Sequence, residues 1–313
     1  MTTQTKTVVT LAFTLAAAAA ACMPAQDPPS LIETTRLLGA RVEVAGDAGR
    51  ASPRPGETAT VTWLVAAPGQ MPPLGWAFVL CPGVATSLDC AGEPLGVFQG
   101  QDQPRVTIAV PAAGDLGATK MLVLEGRVCS SSSPVLDGTH ASCTDGGDGT
   151  TASVAIPLDL DVPGSEPNQN PDLAGSPLTL DGAAWDPPAA PDPNDACAGL
   201  PRVAAGSKDH VITVGTRGAD REDYTALLGD PPAPVVARER LEISQFTTAG
   251  KLARSFSWIE AEDPSEQPTT EVKWDAPKPE EVPAEGKRVD FTFVVRDMRG
   301  GIDWTTRAVC ATQ

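Results

Sequence analysis

Apolar and polar residues alternate along most of the chain from residue 41 to residue 311, the pattern of β-strands that bury one face. In residues 58–65 the apolar row is Ala59, Val61, Trp63 and Val65, and threonines occupy most of the positions between them. The same period predicts further strands over residues 41–44, 76–80, 106–110, 121–128 and 154–160, with a short one over 95–98. In the second half it predicts strands over residues 178–180, 209–214, 240–246, 254–259, 271–274, 288–296 and 302–311.

Short strands separated by proline- and glycine-rich turns predict the fold class. Each sheet has one apolar face to bury, so the chain is expected to be all-β, with two tandem Ig-like β-sandwich domains over residues 35–161 and 178–313. Residues 162–177 contain turn formers and little apolar content, which indicates a linker. Pro157 has no N–H for a sheet, so its strand should lie at an edge or contain a bulge. One short helix is predicted over residues 220–228, capped by Asp220 and closed by Gly229.

The N-terminal residues have the pattern of an export signal. A polar start that contains Lys6 precedes an apolar run over residues 8–21. That run is shorter than the roughly 20 residues that a membrane-spanning helix needs. We therefore expect residues 1–21 to be a cleaved signal peptide.

The residues around the expected cleavage site resemble the lipoprotein signal of bacteria. The matching motif is Ala19-Ala20-Ala21-Cys22, although Leu is usual where Ala19 stands. The resemblance implies lipid attachment at Cys22, a tether over residues 22–34 and a membrane anchor without a transmembrane helix. Met23, in place of Asp, resembles lipoproteins of the outer membrane, which is favoured over the inner one. Ordinary cleavage after Ala21, giving a soluble secreted or periplasmic protein, is the alternative.

The cysteines fit an oxidising compartment. The chain has seven, and lipidation of Cys22 would leave six, an even number suited to disulfides. Six cysteines allow 15 pairings, and their distribution favours the neighbouring pairs Cys81–Cys90, Cys129–Cys143 and Cys197–Cys310. No C-x-x-C motif supports a zinc site.

Charge and composition exclude several functions. A net charge of −17 argues against nucleic acid or anionic lipid as a direct partner, because both are bound through an excess of Lys and Arg. Two histidines and one tyrosine leave few groups for acid–base chemistry at neutral pH. Neither a Walker A loop, nor G-x-G-x-x-G, nor G-x-S-x-G occurs. We expect no enzyme and no cofactor.

The last 40 residues resemble the closing half of bacterial Ig-like and PKD-like modules. The matching features are Trp274-Asp275-Ala276-Pro277, an alternating strand over residues 289–295, and the turn Arg296-Asp297-Met298-Arg299-Gly300-Gly301. In such a turn Gly provides a positive φ and Asp accepts from the turn amides. The two-domain layout also resembles uncharacterised envelope lipoproteins of myxobacteria and similar organisms. The resemblance implies adhesion, spacing or partner binding.

Few residues suggest a ligand site. Asp145 and Asp148 lie in a Gly-rich segment and are weak candidates for calcium ligands, since no Glu completes an EF-hand loop. A solvated loop closed by a disulfide is favoured instead. His140 and His210 have no second His nearby, and Glu280-Glu281 lies in a solvated loop. Among the six tryptophans, Trp63, Trp76, Trp258 and Trp304 are expected in the core. Trp185 and Trp274 adjoin Pro-rich loops and could be partly exposed as a platform for sugars, although packing is favoured for them as well.

These observations favour a lipid-anchored cell-envelope protein with a structural or protein-binding role and no catalysis. Its expected partners are the membrane, through the lipid, and an envelope protein. The first alternative is a carbohydrate- or peptidoglycan-binding surface protein that uses Trp185 and Trp274. The second is a hydrolase that depends on His140 or His210.

Overall fold

The computed structural model describes residues 28–84, 88–117, 119–144, 149–160, 166–189, 192, 195–228 and 233–313. In the first half, a three-stranded sheet of order β1-β2-β5 faces a four-stranded sheet of order β4-β3-β6-β9. A hairpin, β7-β8, and a one-turn helix, α1, complete this half. The bounds are β1 Arg36–Val44, β2 Thr58–Ala66, β3 Leu74–Pro82, β4 Gly96–Gln101, β5 Arg105–Ala109, α1 Ala113–Leu116, β6 Met121–Ser130, β7 Pro134–Asp137, β8 His140–Cys143 and β9 Gly149–Pro157.

The second half contains two five-stranded sheets. Their orders are β11-β10-β13-β19-β17 and β12-β21-β20-β16-β18. A further hairpin, β14-β15, forms a sheet of its own. The bounds are β10 Leu178–Leu180, β11 Ala183–Ala184, β12 Arg202–Ala204, β13 His210–Gly215, β14 Asp223–Leu228, β15 Ala233–Arg238, β16 Leu241–Thr247, β17 Lys251–Leu252, β18 Phe256–Ile259, β19 Thr269–Asp275, β20 Lys287–Arg296 and β21 Ile302–Thr312.

The strand order confirms the predicted all-β sandwich fold. In immunoglobulin lettering, β10-β13-β19-β17 corresponds to A-B-E-D, and β21-β20-β16 corresponds to G-F-C on the facing sheet. Each half buries the apolar rows of its two sheets against each other. In the first half, Trp63 of β2 stacks on Phe78 of β3 with a centroid separation of 4.0 Å. In the second half, Phe291 and Phe293 of β20 occupy the centre of the core, each with 0 % exposure.

Local predictions were confirmed at Pro157 and wrong at residues 220–228. Pro157 ends β9, which is an edge strand. The predicted helix is instead a 3-10 turn, Gly218–Asp220, followed by strand β14. Tyr224 and Thr225 favour extended backbone, and pairing with β15 satisfies the backbone groups that a helix would have used.

The three disulfides connect the cysteine pairs that the sequence favours. Cys81–Cys90 and Cys129–Cys143 tie loops to the four-stranded sheet of the first half. Cys197–Cys310 attaches the segment before β12 to β21, the strand next to β12 in the sheet. Disulfides of this number are typical of chains that fold outside the reducing cytoplasm.

The described part of the predicted linker, residues 166–177, is packed between the two halves. Asn170 is 7 % exposed and bonds to both of them. Its side-chain N–H donates to the carbonyl of Val42 at 2.7 Å, and its side-chain oxygen accepts the N–H of Ile302 at 3.0 Å. Beside it, an apolar cluster formed by Ile32, Leu38, Leu64, Val294 and Ile302 crosses the same junction.

The junction predicts a large effect of Asn170→Ala. The substitution leaves the buried carbonyl of Val42 and the buried N–H of Ile302 without partners, each at a cost of about 1–3 kcal/mol. We therefore expect the free energy of unfolding in urea to fall by about 2–4 kcal/mol. The control, Gln99→Ala on the exposed β4, should change it by less than about 0.5 kcal/mol. Equal effects of the two substitutions would contradict the role of Asn170.

Candidate functional site

The two tryptophans considered as a sugar platform are buried, which agrees with the favoured packing and contradicts the alternative of an exposed platform. Trp185 is 3 % exposed and donates its indole N–H to the carbonyl of Ala308 at 3.0 Å. Trp274 is 0 % exposed and donates to the carbonyl of Ala249 at 3.1 Å. Both rings meet Phe291 edge-on at a centroid separation of 5.0 Å. Because each indole N–H bonds to a backbone carbonyl, the rings pack in the core without leaving a buried donor unpaired.

Two tryptophans expected in the core are instead half-buried. In β18 the buried residues are Ser257 and Ile259, so Trp258 lies on the opposite face. The Arg240 guanidinium covers its ring at 3.9 Å from the centroid. Trp304 packs at the edge of the cluster that joins the two halves. The strand period was correct here, but the choice of buried face was not.

The remaining predicted residues are scattered. Cys22, Asp145 and Asp148 lie outside the described residues. His140 is exposed on β8, and Glu280 and Glu281 are exposed in a 3-10 turn, Pro279–Glu281. Within the described ranges, no group of three or more His, Cys, Asp or Glu side chains is arranged to hold a metal ion.

His210 is the exception, because it joins Ser207 and Asp181 in a hydrogen-bonded chain. Its Nε2 lies 2.7 Å from the hydroxyl of Ser207, and its Nδ1 lies 2.7 Å from a carboxylate oxygen of Asp181. The other oxygen of Asp181 accepts the N–H of Val211 at 2.8 Å. Burial acts to raise the pKa of Asp181, but the bonds from His210 and Val211 outweigh it, and the pKa is lowered. No sequence motif indicates this series of hydrogen bonds, since Asp181 lies 26 positions before Ser207 in the sequence.

A second acceptor competes for the hydroxyl proton of Ser207. The carbonyl of Ala204 lies 2.5 Å from the same hydroxyl oxygen. When Ser207 donates to Ala204, Nε2 of His210 must donate to Ser207, so the imidazole is positively charged beside Asp181. When the imidazole is neutral, Ser207 donates to it and is oriented as a nucleophile is in a serine hydrolase. The geometry thus allows a structural clasp in one protonation state and an activated hydroxyl in the other.

The β14-β15 hairpin is the most exposed apolar element of the described chain. Its strands pair with each other and with no other described strand. Four consecutive apolar residues of β15 are exposed, with Val235 at 44 % and Val236 at 75 %. Sequence analysis missed the hairpin, although the turn-forming segment 229–232 between two β-forming runs was a signal for it.

A buried charge cluster holds the base of this hairpin. Arg299 donates to Glu239 at 2.8 Å and lies 3.6 Å from Glu222, while its guanidinium stacks on Tyr224 at 4.6 Å. Glu222 precedes β14 and Glu239 follows β15, and each backbone N–H bonds to the other residue. Both ends of the hairpin are therefore attached to one arginine of the β20-β21 turn.

That turn has the geometry predicted for it. One carboxylate oxygen of Asp297 accepts the backbone N–H groups of Arg299, Gly300 and Gly301 at 2.7, 3.0 and 2.9 Å. Gly300 has a φ of +115°, which glycine tolerates best. The other oxygen of Asp297 accepts from Asn168 of the junction at 2.9 Å.

Burial sets the electrostatics of the cluster. Desolvation raises the pKa of Glu239 to about 7, with the negative charge of Asp297 as the next cause, against the lowering effects of the Glu222 amide and Arg299. Desolvation also raises the pKa values of Glu222 and Asp297. In the described part of the chain, Arg299 is the one positive charge beside the three carboxyl groups of Glu222, Glu239 and Asp297, so it cannot neutralise all of them. Glu239 therefore takes up a proton near neutral pH.

A lysine-lined groove lies at one end of the second half and has a volume of about 810 Å³. We call it the lysine groove. The N-terminal segment forms part of its wall through Leu31, Ile32 and Glu33. Its basic residues are Lys208, Lys251, Lys278 and Lys287.

No family model matches the chain, and no curated protein matches it. Among solved structures, Escherichia coli alpha-2-macroglobulin activated by porcine elastase is similar at 9 % identity and a TM-score of 0.23, over 88 % of this chain and 22 % of that one. The native conformation of E. coli alpha-2-macroglobulin gives 11 % identity and a TM-score of 0.22, over 90 % and 16 % of the two chains. The chain thus spans less than a quarter of either protein. Across the described ranges, no helix is long and apolar enough to cross a membrane.

The cluster at the base of the hairpin predicts a pH-dependent stability. The folded state keeps the proton of Glu239 up to about pH 7, whereas the unfolded state releases it near pH 4.5. The free energy of unfolding should therefore fall as pH rises between these values, by up to about 3 kcal/mol from this group, and then level off.

Glu239→Gln removes this titration. In urea denaturation from pH 5 to pH 8, the stability of the variant relative to the native chain should rise toward pH 7. The exposed Glu93→Gln serves as the control and should follow the native curve. Parallel curves for Glu239→Gln and the native chain would show that Glu239 does not titrate in this range.

Proposed function

We propose that this protein is a lipid-anchored protein of the cell envelope that binds a protein partner through the β14-β15 hairpin and performs no catalysis. The single observation that carries the proposal is the exposure of four consecutive apolar residues in β15, of which Val236 is the most exposed. An unpaired two-stranded hairpin is marginally stable in water by itself, and a run of four exposed apolar residues is a liability unless a partner covers it.

The attachment of the hairpin supports the same role. A half-buried arginine and two glutamates fix its base to the β20-β21 turn, and Asp297 of that turn bonds to the junction between the halves. The apolar face is therefore presented from a rigid support, which reduces the entropy lost on binding. Pro234 removes one N–H donor from β15, which protects that edge against unselective strand pairing. The side-chain face around Val236 is thus the proposed contact.

The anchor rests on the N-terminal residues. The apolar run over 8–21 followed by Cys22 supports export and lipidation, and the other six cysteines form three disulfides. We place the anchor in the outer membrane, because Met23 follows the lipidated cysteine. This arrangement holds the hairpin at the cell envelope, where an envelope protein can reach it.

Ester hydrolysis by a serine nucleophile is the second candidate function, and the hydrogen-bonded series Ser207–His210–Asp181 favours it. Its two distances of 2.7 Å match those of a nucleophile, a base and an orienting carboxylate. In this reaction Ser207 would attack an ester carbonyl while its proton passes to Nε2 of His210, and the leaving alkoxide would take that proton. Water would then attack the acyl-serine, with His210 accepting its proton and returning it to Ser207 as the carboxylic acid leaves.

The proposed contact predicts a selective effect of Val236→Glu. The full-length chain, purified from cross-linked envelopes, should carry a partner whose cross-links map to the hairpin. A charge at position 236 would be desolvated in the interface, so we expect loss of at least about tenfold in the captured partner. Val97→Glu, on the 54 % exposed Val97 of β4, is the matched control and should retain it.

Two results would overturn this function. One is the same set of cross-linked proteins for the native chain and both variants. The other is a native chain that yields no cross-link through the hairpin. Circular dichroism and thermal unfolding of each variant confirm that a loss of capture is not a loss of folding.

The second candidate predicts covalent labelling of Ser207 by a fluorophosphonate. The hydroxyl oxygen would form a bond to phosphorus, fluoride would leave, and His210 would accept the proton. Mass spectrometry should find the adduct on Ser207 in the native chain and not in Ser207→Ala, with labelling reduced about 100-fold or more in His210→Gln. An unlabelled native chain assigns the three residues to the structural clasp alone.

A further inference from the structure

The lysines of this acidic protein are concentrated on one face. Six lysines follow Cys22 in the sequence, and four of them line the lysine groove. Net charge alone argued against contact with anionic lipid. A sum over the chain does not describe this face, because the acidic excess lies elsewhere on the surface.

The lysines of the groove are available to an external anion. The side chains of Lys208 and Lys278 are 73 % and 71 % exposed, and their nearest carboxylates, Asp275 and Glu280, are 3.7 and 3.9 Å away. Exposed pairs at such distances are weak. Lys251 and Lys287 form no ion pair within the described chain. The acidic residues that line the groove with the four lysines are Glu33, Asp275 and Glu281.

The N-terminal segment is bound beside this groove. The N–H of Ile32 donates to the carbonyl of Thr247 at 2.8 Å, and the N–H of Thr247 donates to the carbonyl of Ser30 at 2.9 Å. Arg36 donates to the carbonyl of Pro29 at 2.7 Å. Residues that sequence analysis assigned to a tether are therefore attached to β16 of the second half from Pro28 onward.

The length of the remaining chain limits the distance to the membrane. Only six residue steps separate Pro28 from Cys22, and a fully extended chain of that length spans about 20 Å. A lipid on Cys22 would hold the Pro28 end of the molecule close to the bilayer. The face that carries the lysine groove is then the face nearest to the lipid headgroups.

We propose that the lysine groove docks on the anionic headgroups of the membrane in which Cys22 is anchored, and so fixes the orientation of the protein. This inference rests on the lipid anchor of the proposed function. The acidic remainder of the surface is repelled by the same headgroups, so attraction at the groove and repulsion elsewhere favour one orientation. Screening limits both effects to about 8 Å at physiological salt, which makes the short tether essential.

The experiment measures lysine acylation of the full-length lipidated chain in liposomes. A membrane-impermeant amine-reactive ester is applied to protein in neutral phosphatidylcholine vesicles and in vesicles that contain 30 % phosphatidylglycerol, and mass spectrometry gives each lysine's rate. We expect the groove lysines to react about fivefold more slowly in the anionic vesicles. Lys120, exposed on the first half, should react equally in both, and 0.5 M salt should remove the protection.

A matched pair of variants tests the charges themselves. Lys251→Gln with Lys287→Gln should abolish the protection of Lys208 and Lys278. Arg105→Gln with Lys120→Gln removes the same charge from the first half and should preserve it. Equal rates in the two vesicle types, or equal protection in both double variants, would overturn the docking.

Mass spectrometry of the mature N-terminus separates the two proposals. A lipidated Cys22 with unprotected groove lysines overturns the docking and leaves the anchor intact. An unmodified chain overturns the anchor, and with it the orientation proposed here.

Discussion

The arrangement of the two sandwiches depends on the polar junction formed by residues 168–173. Asn170 satisfies the backbone of β1 and of β21 with one side-chain amide. Asp303 extends the junction, because its carboxylate accepts from Arg41 of β1 at 2.5 Å and from the N–H of Leu173 at 2.8 Å. These bonds have geometric requirements that apolar packing alone does not impose, so they fix how the halves are placed relative to each other.

The junction also determines what the surface presents. Asn168 bonds to Asp297, Asp297 shapes the β20-β21 turn, and Arg299 of that turn holds both ends of the β14-β15 hairpin. All the contacts that connect the junction to the exposed hairpin are thus polar. The carboxyl groups of Asp297 and Glu239 are buried among them, and desolvation raises the pKa of Glu239 to about 7.

The alternation of apolar and polar residues located the long strands of both sandwiches, but not the β14-β15 hairpin or the segment that joins the two halves. Alternation located β2 and β20 because each buries one face along its whole length. It failed for residues 166–177, where the side chain of Asn170 bonds to backbone groups more than 100 residues away, because a segment buried through such polar bonds has no apolar pattern in its local sequence. The tryptophans show the same limit. The alternation along a strand assigns each ring to one side of the sheet. Whether that side is covered depends on the packing of the opposite sheet, which covers Trp274 and not Trp258.

Net charge and local charge describe different properties of this protein. A total of −17 describes the field far from the protein, where all charges contribute together. Within a Debye length of a membrane, only the nearest face contributes, and here that face depends on where residues 28–32 attach. Their bonds to Thr247 place the N-terminal end beside four lysines that lie far apart in the sequence. If the groove docks as proposed, an anionic surface meets the one side of this acidic protein where the fold collects those four lysines.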